Sequence, residues 1–184
     1  MSVLEKNKSC RLSLVTGGAA SGKSEYAEQL ITKAARRHKE PLIYLATMRP
    51  EGKEAEKRIA KHRRNRQERG FRTVEKAFDL GSLDGLEGTA VLLEDMGNLL
   101  GNEMFFEEGK GARAVRDGIR HLMQQAGDLV IVTNEIFSDG ISYSEEMLTY
   151  MKELADINCT LAEEADLVAE VVCGIPRIRK GQPE

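Results

Sequence analysis

Cysteine is scarce in this chain and poorly spaced for structural use. Cys10, Cys159 and Cys173 are the only three, an odd number with no CxxC or Cys/His pattern. That excludes a disulfide framework and a zinc site and points to a reducing compartment. Long hydrophobic runs are missing too. No segment approaches the roughly 18 apolar residues of a membrane span, and the opening MSVLEKNKSC holds no signal-peptide core. The sequence reads as that of a soluble cytoplasmic protein. Tryptophan is absent and proline occupies 4 positions, yet 41% of residues are hydrophobic against 31% charged, so the chain can bury a core and is not compositionally disordered. No excess of one charge is present either: Lys and Arg total 27 against 30 for Asp and Glu, a net of −3, which argues against a surface built as a polyanion clamp. At roughly 150 residues per domain, residues 1–184 form one expected domain, with about 1–10 and 181–184 as frayed tails.

What is present is an alternation of short apolar runs with longer helix-periodic stretches. The runs cover residues 12–16, 41–47, 90–94, 129–133 and 167–173, and the alternation predicts parallel strands joined by crossover helices. Most runs are apolar at successive positions, as strands covered on both faces require. A three-layer α/β sheet follows. The clearest helix spans about 142–164, with Met147, Leu148, Met151, Leu154, Ala155, Leu161, Ala162 and Ala165 on its apolar stripe and Ser142 with Glu145 as a capping box. Residues 177–184 read as a short edge strand and a tail.

The strongest local signal is Gly17-Gly18-Ala19-Ala20-Ser21-Gly22-Lys23-Ser24, which fits GxxxxGK[ST] without mismatch. An apolar run precedes it and an amphipathic stretch follows, with Tyr26, Ala27, Leu30, Ile31 and Ala34 on one face. Backbone N–H groups of such a loop converge on phosphate oxygens, and the helix that follows adds its positive end. Lys23 is the expected partner of the β/γ-phosphates and the Ser24 hydroxyl the expected Mg²⁺ ligand. A second acid should stand at a neighbouring strand end, and Val91-Leu92-Leu93-Glu94-Asp95 supplies two candidates, Glu94 and Asp95, without deciding between them. Thr133-Asn134-Glu135 closes another run on the same expected rim, with scaffold and function both open.

Residues 57–72 hold 8 basic side chains and one acid, a net of +7, so the rest of the chain carries −10. The near balance of the whole is a cancellation. Three readings of this tract stand: a solvated helix, a nucleic-acid footprint with only Phe71 to stack on a base, or an anionic active site around His62. Neighbouring positive charge favours the neutral imidazole, the form able to attack an α-phosphate, while arginines disperse charge on the transferring group.

These elements in order resemble a known family. The P-loop, Ala46-Thr47, the Arg58-Ile59 to His62-Arg63 segment, Thr73-Val74-Glu75, the Leu-Leu-Glu end at Glu94 and the Thr-Asn-Glu end at Glu135 are similar to those of the bifunctional adenosylcobinamide kinase / adenosylcobinamide-phosphate guanylyltransferases of cobalamin biosynthesis. The resemblance implies a RecA-like P-loop fold assembled as a homotrimer, and one short basic arm on an otherwise acidic chain fits a confined triphosphate site with no nucleic acid as partner. It implies phosphorylation of adenosylcobinamide, a corrinoid, by ATP or GTP, then GMP transfer from GTP through a covalent guanylyl-histidine at His62. It also implies nucleotide contacts at Ala46, Thr47, Met48, Arg63, Arg64, Asn65, Arg66, Glu75 and Glu94 besides the loop. The chain departs from the family pattern at Gln67 and Phe71 and in residues 136–143. Two other functions stay open: a P-loop small-molecule kinase without guanylyl transfer, and a non-catalytic nucleotide-binding regulator.

Overall fold

The structure is a computed structural model and describes residues 10–49, 67–138 and 140–183. Strands β1 (Arg11–Thr16), β2 (Leu42–Ala46), β3 (Arg72–Glu75), β4 (Ala90–Glu94), β5 (Asp128–Val132), β6 (Leu167–Val172) and β7 (Ile175–Lys180) form one sheet in the order β3-β2-β4-β5-β1-β6-β7. Every neighbouring pair is parallel except β6 and β7. Helix α1 (Lys23–His38) packs through Ala27, Ile31 and Ala35 on one face of the sheet with Val15, Leu92, Val130 and Val171. On the other face, α2 (Met96–Phe105), α3 (Ala112–Gln125) and α4 (Glu145–Glu164) bury Leu99, Leu100, Ile119, Leu122, Leu154 and Ile157 against Leu14, Leu45, Leu93 and Ile131. The expected three layers are present. One strand, β5, separates β1 from the glutamate-bearing β4, the order of RecA-like P-loop domains.

All five apolar runs are strands, within a residue or two of their expected bounds. Two details differ from expectation. Helix α4 starts at Glu145 and is capped by Ser144, whose Oγ accepts from Met147 N at 3.3 Å. Ser142 lies in the loop before it, and Glu145 stands at the first helical position, where its side chain cannot reach back as a capping box needs. Its stripe faces the core through Leu154, Ile157 and Leu161, whereas Leu148 is 53% exposed. At the other end of the chain β7 begins at Ile175, two residues early, because Cys173 and Gly174, with φ of 50° and 79°, form a two-residue turn that reverses β6 directly into it.

The amino ends of β1 and β5 are fastened by charge. Asp128, its side chain 5% exposed, accepts from Arg11 Nε at 3.0 Å and Nη2 at 2.9 Å through Oδ1, and from His38 Nδ1 at 2.8 Å through Oδ2. Removing the carboxylate takes an ionic partner from the Arg11 guanidinium and an acceptor from His38. Asp128→Ala is therefore expected to cost about 3 kcal/mol, read as a lowered urea midpoint at unchanged slope, with activity kept because the cluster lies at the amino ends of the strands and the phosphate loop at their carboxyl ends. Beside it, burial and then the charges of Asp128, Asp166 and Glu40 push the Cys10 thiol up to about 12, so it is inert as a nucleophile. All three cysteines are free.

Candidate functional site

The loop after β1 is shaped by what a Cβ would strike. One added at Gly17 would come within 2.5 Å of Ser21 Oγ and 2.6 Å of the Val171 carbonyl oxygen, so only glycine fits. Gly22 starts α1 in the left-handed region at φ 90°, pressed against the β6–β7 turn, whose Gly174 N donates to Ser21 O at 2.8 Å. The first helical bond runs from Tyr26 N to Gly22 O at 3.1 Å, leaving the N–H groups of Lys23, Ser24 and Glu25 without intrahelical acceptors. Lys23 is only 8% exposed, and its Nζ donates to Gly18 O at 3.1 Å, curling across the loop. Ser21 Oγ is buried and unpartnered. The N–H groups at the start of α1 and the Lys23 ammonium gather donors at one loop, an arrangement suited to a polyphosphate.

Of the two neighbouring acids, Glu94 is the one aimed at the loop. The Ser24 hydroxyl donates to Glu94 Oε1, joining α1 to the end of β4 across the intervening strand. Glu94 Oε2 is buried with no hydrogen-bond partner. Burial raises the Glu94 pKa; the Ser24 and Tyr44 hydroxyls oppose the shift, and the charges of Asp95 and Glu28 add to it. Asp95 turns away to cap α2, its Oδ1 accepting from Asn98 N at 2.7 Å and its Oδ2 from Asn98 Nδ2 at 3.1 Å.

Helix α2 then crosses the carboxyl rim of the sheet. Asn102 Nδ2 donates to Thr47 O at 2.8 Å and Ala77 O at 3.0 Å, tying the exits of β2 and β3. Buried Glu103 accepts from the backbone N–H of Asp79 at 2.6 Å and of Lys110 at 2.7 Å. Register places Ala46 between Glu75 on β3 and Glu94 on β4, so these three share one stretch of rim. Thr47 is 0% exposed: its hydroxyl donates to Asp95 O at 2.8 Å and its N–H to Glu94 O at 3.1 Å. Met48 beside it is exposed.

Residues 13–178 match the family described as CobU, cobinamide kinase / cobinamide phosphate guanyltransferase. The chain belongs to this family. It is 33% identical over 180 residues to the bifunctional adenosylcobalamin biosynthesis protein CobU of Salmonella typhimurium, a match covering 88% of this chain and 96% of the relative. It is 26% identical over 174 residues to CobP, the protein of the same description from Pseudomonas aeruginosa, covering 92% and 98%. Among solved structures, a KaiC-like protein of Pyrococcus horikoshii superposes with a TM-score of 0.47 at 15% identity, covering 95% of this chain and 80% of that one.

In this member of the cobinamide kinase / cobinamide phosphate guanyltransferase family the loop residues, Ala46, Thr47, Met48, Glu75, Glu94 and Asp95 all lie along the carboxyl rim. His62, Arg63, Arg64, Asn65 and Arg66 lie outside the described residues. Phe71, expected to offer an aromatic plane, is a core residue, 3% exposed and edge-on to Tyr44 at 5.9 Å. The rim end of β5 is partly scaffold: Thr133 Oγ1 donates to Asn158 Oδ1 at 2.8 Å, and Glu135 N donates to Gly17 O at 3.0 Å. Sequence reasoning missed the β6–β7 turn as a wall of the loop, and also Asn102 and Glu103. No motif marks them, because their partners are backbone groups distant in sequence. Among the described residues no helix is long and apolar enough to cross a membrane.

Proposed function

We propose that the chain performs both reactions of its family on a corrinoid, using ATP or GTP and then GTP. In the first, the aminopropanol hydroxyl oxygen of adenosylcobinamide attacks the γ-phosphorus held in the loop; the hydroxyl proton leaves and the nucleoside diphosphate departs. In the second, an imidazole nitrogen of His62 attacks the α-phosphorus of GTP and pyrophosphate leaves. The phosphate of adenosylcobinamide phosphate then displaces the histidine and takes GMP. Gly17 to Ser24 bind the polyphosphate, Lys23 neutralises its β/γ oxygens, and Arg63, Arg64, Asn65, Arg66, Ala46, Thr47, Met48 and Glu75 bind nucleotide around it.

The observation that carries this reading is the contact between Ser24 and Glu94, set in a chain that matches the family over residues 13–178. It also supports a place for Mg²⁺. A desolvated carboxylate with an orphaned oxygen beside a hydroxyl is a donor set that fits a hard divalent cation, and Ser24 and Glu94 would hold it. Bound there, Mg²⁺ would supply charge neutralisation for the polyphosphate. The working form in this reading is one nucleotide-binding domain over residues 1–184, assembled as a homotrimer in the cytoplasm.

Incubation with GTP labelled at the α-phosphate is expected to leave acid-labile, base-stable label on the protein, and His62→Ala is expected to take none. Full labelling of that variant refutes the histidine. A wild-type protein that transfers γ-phosphate to adenosylcobinamide but never carries α-label is a kinase alone.

A further inference from the structure

Arg49 emerges from the carboxyl end of β2 with an arrangement that the phosphate loop does not explain. Its guanidinium carbon stands 3.9 Å from the centroid of Phe106 and 5.2 Å from that of Phe78, rings that meet edge to face at 6.3 Å. The ring contacts fix the guanidinium and leave its in-plane N–H groups for other partners. Nη1 is buried and makes no hydrogen bond; among the described residues its acid neighbour is Glu108, whose Oε2 is 3.8 Å away on a largely exposed side chain. A buried donor on a fixed cation without an acceptor is costly unless an anion completes it.

Which anion follows from where Arg49 stands. Three strand spacings separate β2 from the loop strand β1, roughly 14 Å between their axes. A cation beyond the end of β2 is placed to serve a second phosphate on the rim. In the two-step reaction proposed above, on which this inference rests, the first step leaves the corrinoid with a phosphate monoester in the loop. That group must vacate the loop before GTP can occupy it, yet it must stay on the rim to attack the guanylyl group. We propose that Arg49, braced by Phe78 and Phe106, binds the phosphate monoester of the acceptor during guanylyl transfer. Glu108 is the competitor for that cation.

The test is steady-state kinetics of each half-reaction on the full chain. Arg49→Ala is expected to raise the KM for adenosylcobinamide phosphate by roughly tenfold, leaving the KM for GTP and the kinase constants near wild type. Arg49→Lys, which keeps the charge but not the planar fork, should recover only part of that loss. Glu108→Gln should act in the opposite direction, lowering the same KM about twofold, a gain that a purely structural arginine would not produce. An unchanged acceptor KM in Arg49→Ala, or a rise confined to GTP or shared equally by the kinase reaction, overturns the assignment. If the wild type transfers no GMP, the functional reading itself fails. The anion site is then read by calorimetric titration of inorganic phosphate into Lys23→Ala: binding that disappears on adding Arg49→Ala supports the site, and binding that is absent or unaffected removes it.

Discussion

Lys23→Ala is expected to lower phosphorylation of adenosylcobinamide and accumulation of guanylylated protein together, each by roughly 10²- to 10³-fold. The reason is positional. Lys23 is nearly buried at the mouth of α1, and its ammonium bonds the Gly18 carbonyl across the loop, so it stands preplaced where phosphate charge accumulates. A group of this kind stabilises a developing charge without reorganising, and truncation removes that at one stroke. Single-turnover assays with γ-labelled ATP and α-labelled GTP read the two arms separately. A variant that loses one and keeps the other would mean that two nucleotide sites work independently, and the shared-loop mechanism would have to be abandoned.

Glu94→Gln is expected to split activity from stability. Activity should fall by roughly 10²-fold or more, because the amide offers a divalent cation no charge and the Ser24 hydroxyl loses its ionic acceptor. Stability without nucleotide should move the other way. The folded protein holds the Glu94 proton more tightly than the unfolded chain, whose carboxyl titrates near the ordinary 4.5. Its contribution is therefore complete below that value and is lost as pH rises through the elevated folded pKa. Above the raised pKa the wild type keeps an ionised, desolvated carboxylate with one oxygen unpaired. The metal-free variant should then melt at the same or a higher temperature at pH 8, with the difference shrinking toward pH 4. A variant that melts much lower at pH 8 would show that Glu94 is a structural acid.

Much of this arrangement was legible in the sequence for a simple reason. Strands buried on both faces are continuous apolar runs, and the runs at 12–16, 90–94 and 129–133 need no context to be read. The phosphate loop was legible because its chemistry is local: eight consecutive residues carry it. The choice between Glu94 and Asp95 was not, since it depends on which carboxylate α2 needs as its cap, and Asp95 accepts from Asn98 N. Strand β3 escaped because Arg72-Thr73-Val74-Glu75 sits at the sheet edge, half wet, and shows no apolar run. The stripe of α4 was overdrawn at Leu148 for a related reason: periodicity marks an apolar residue, not the neighbour that covers it. Arg49 has no motif at all. Its meaning lies in Phe78, just after β3, and Phe106, at the end of α2, which meet beside it.

The turn at Cys173 and Gly174 has a bearing on how the protein is made. The phosphate loop ends at residue 24, early in synthesis, yet its backbone is bonded to Gly174 and its first glycine is packed under the Val171 carbonyl. Strand β1 is also the partner of β5 and β6, both made much later. A nascent chain therefore carries the phosphate loop long before the loop has its working shape. The loop gains its far wall only when the β6–β7 hairpin docks, so its shape depends on chain made long after the loop itself.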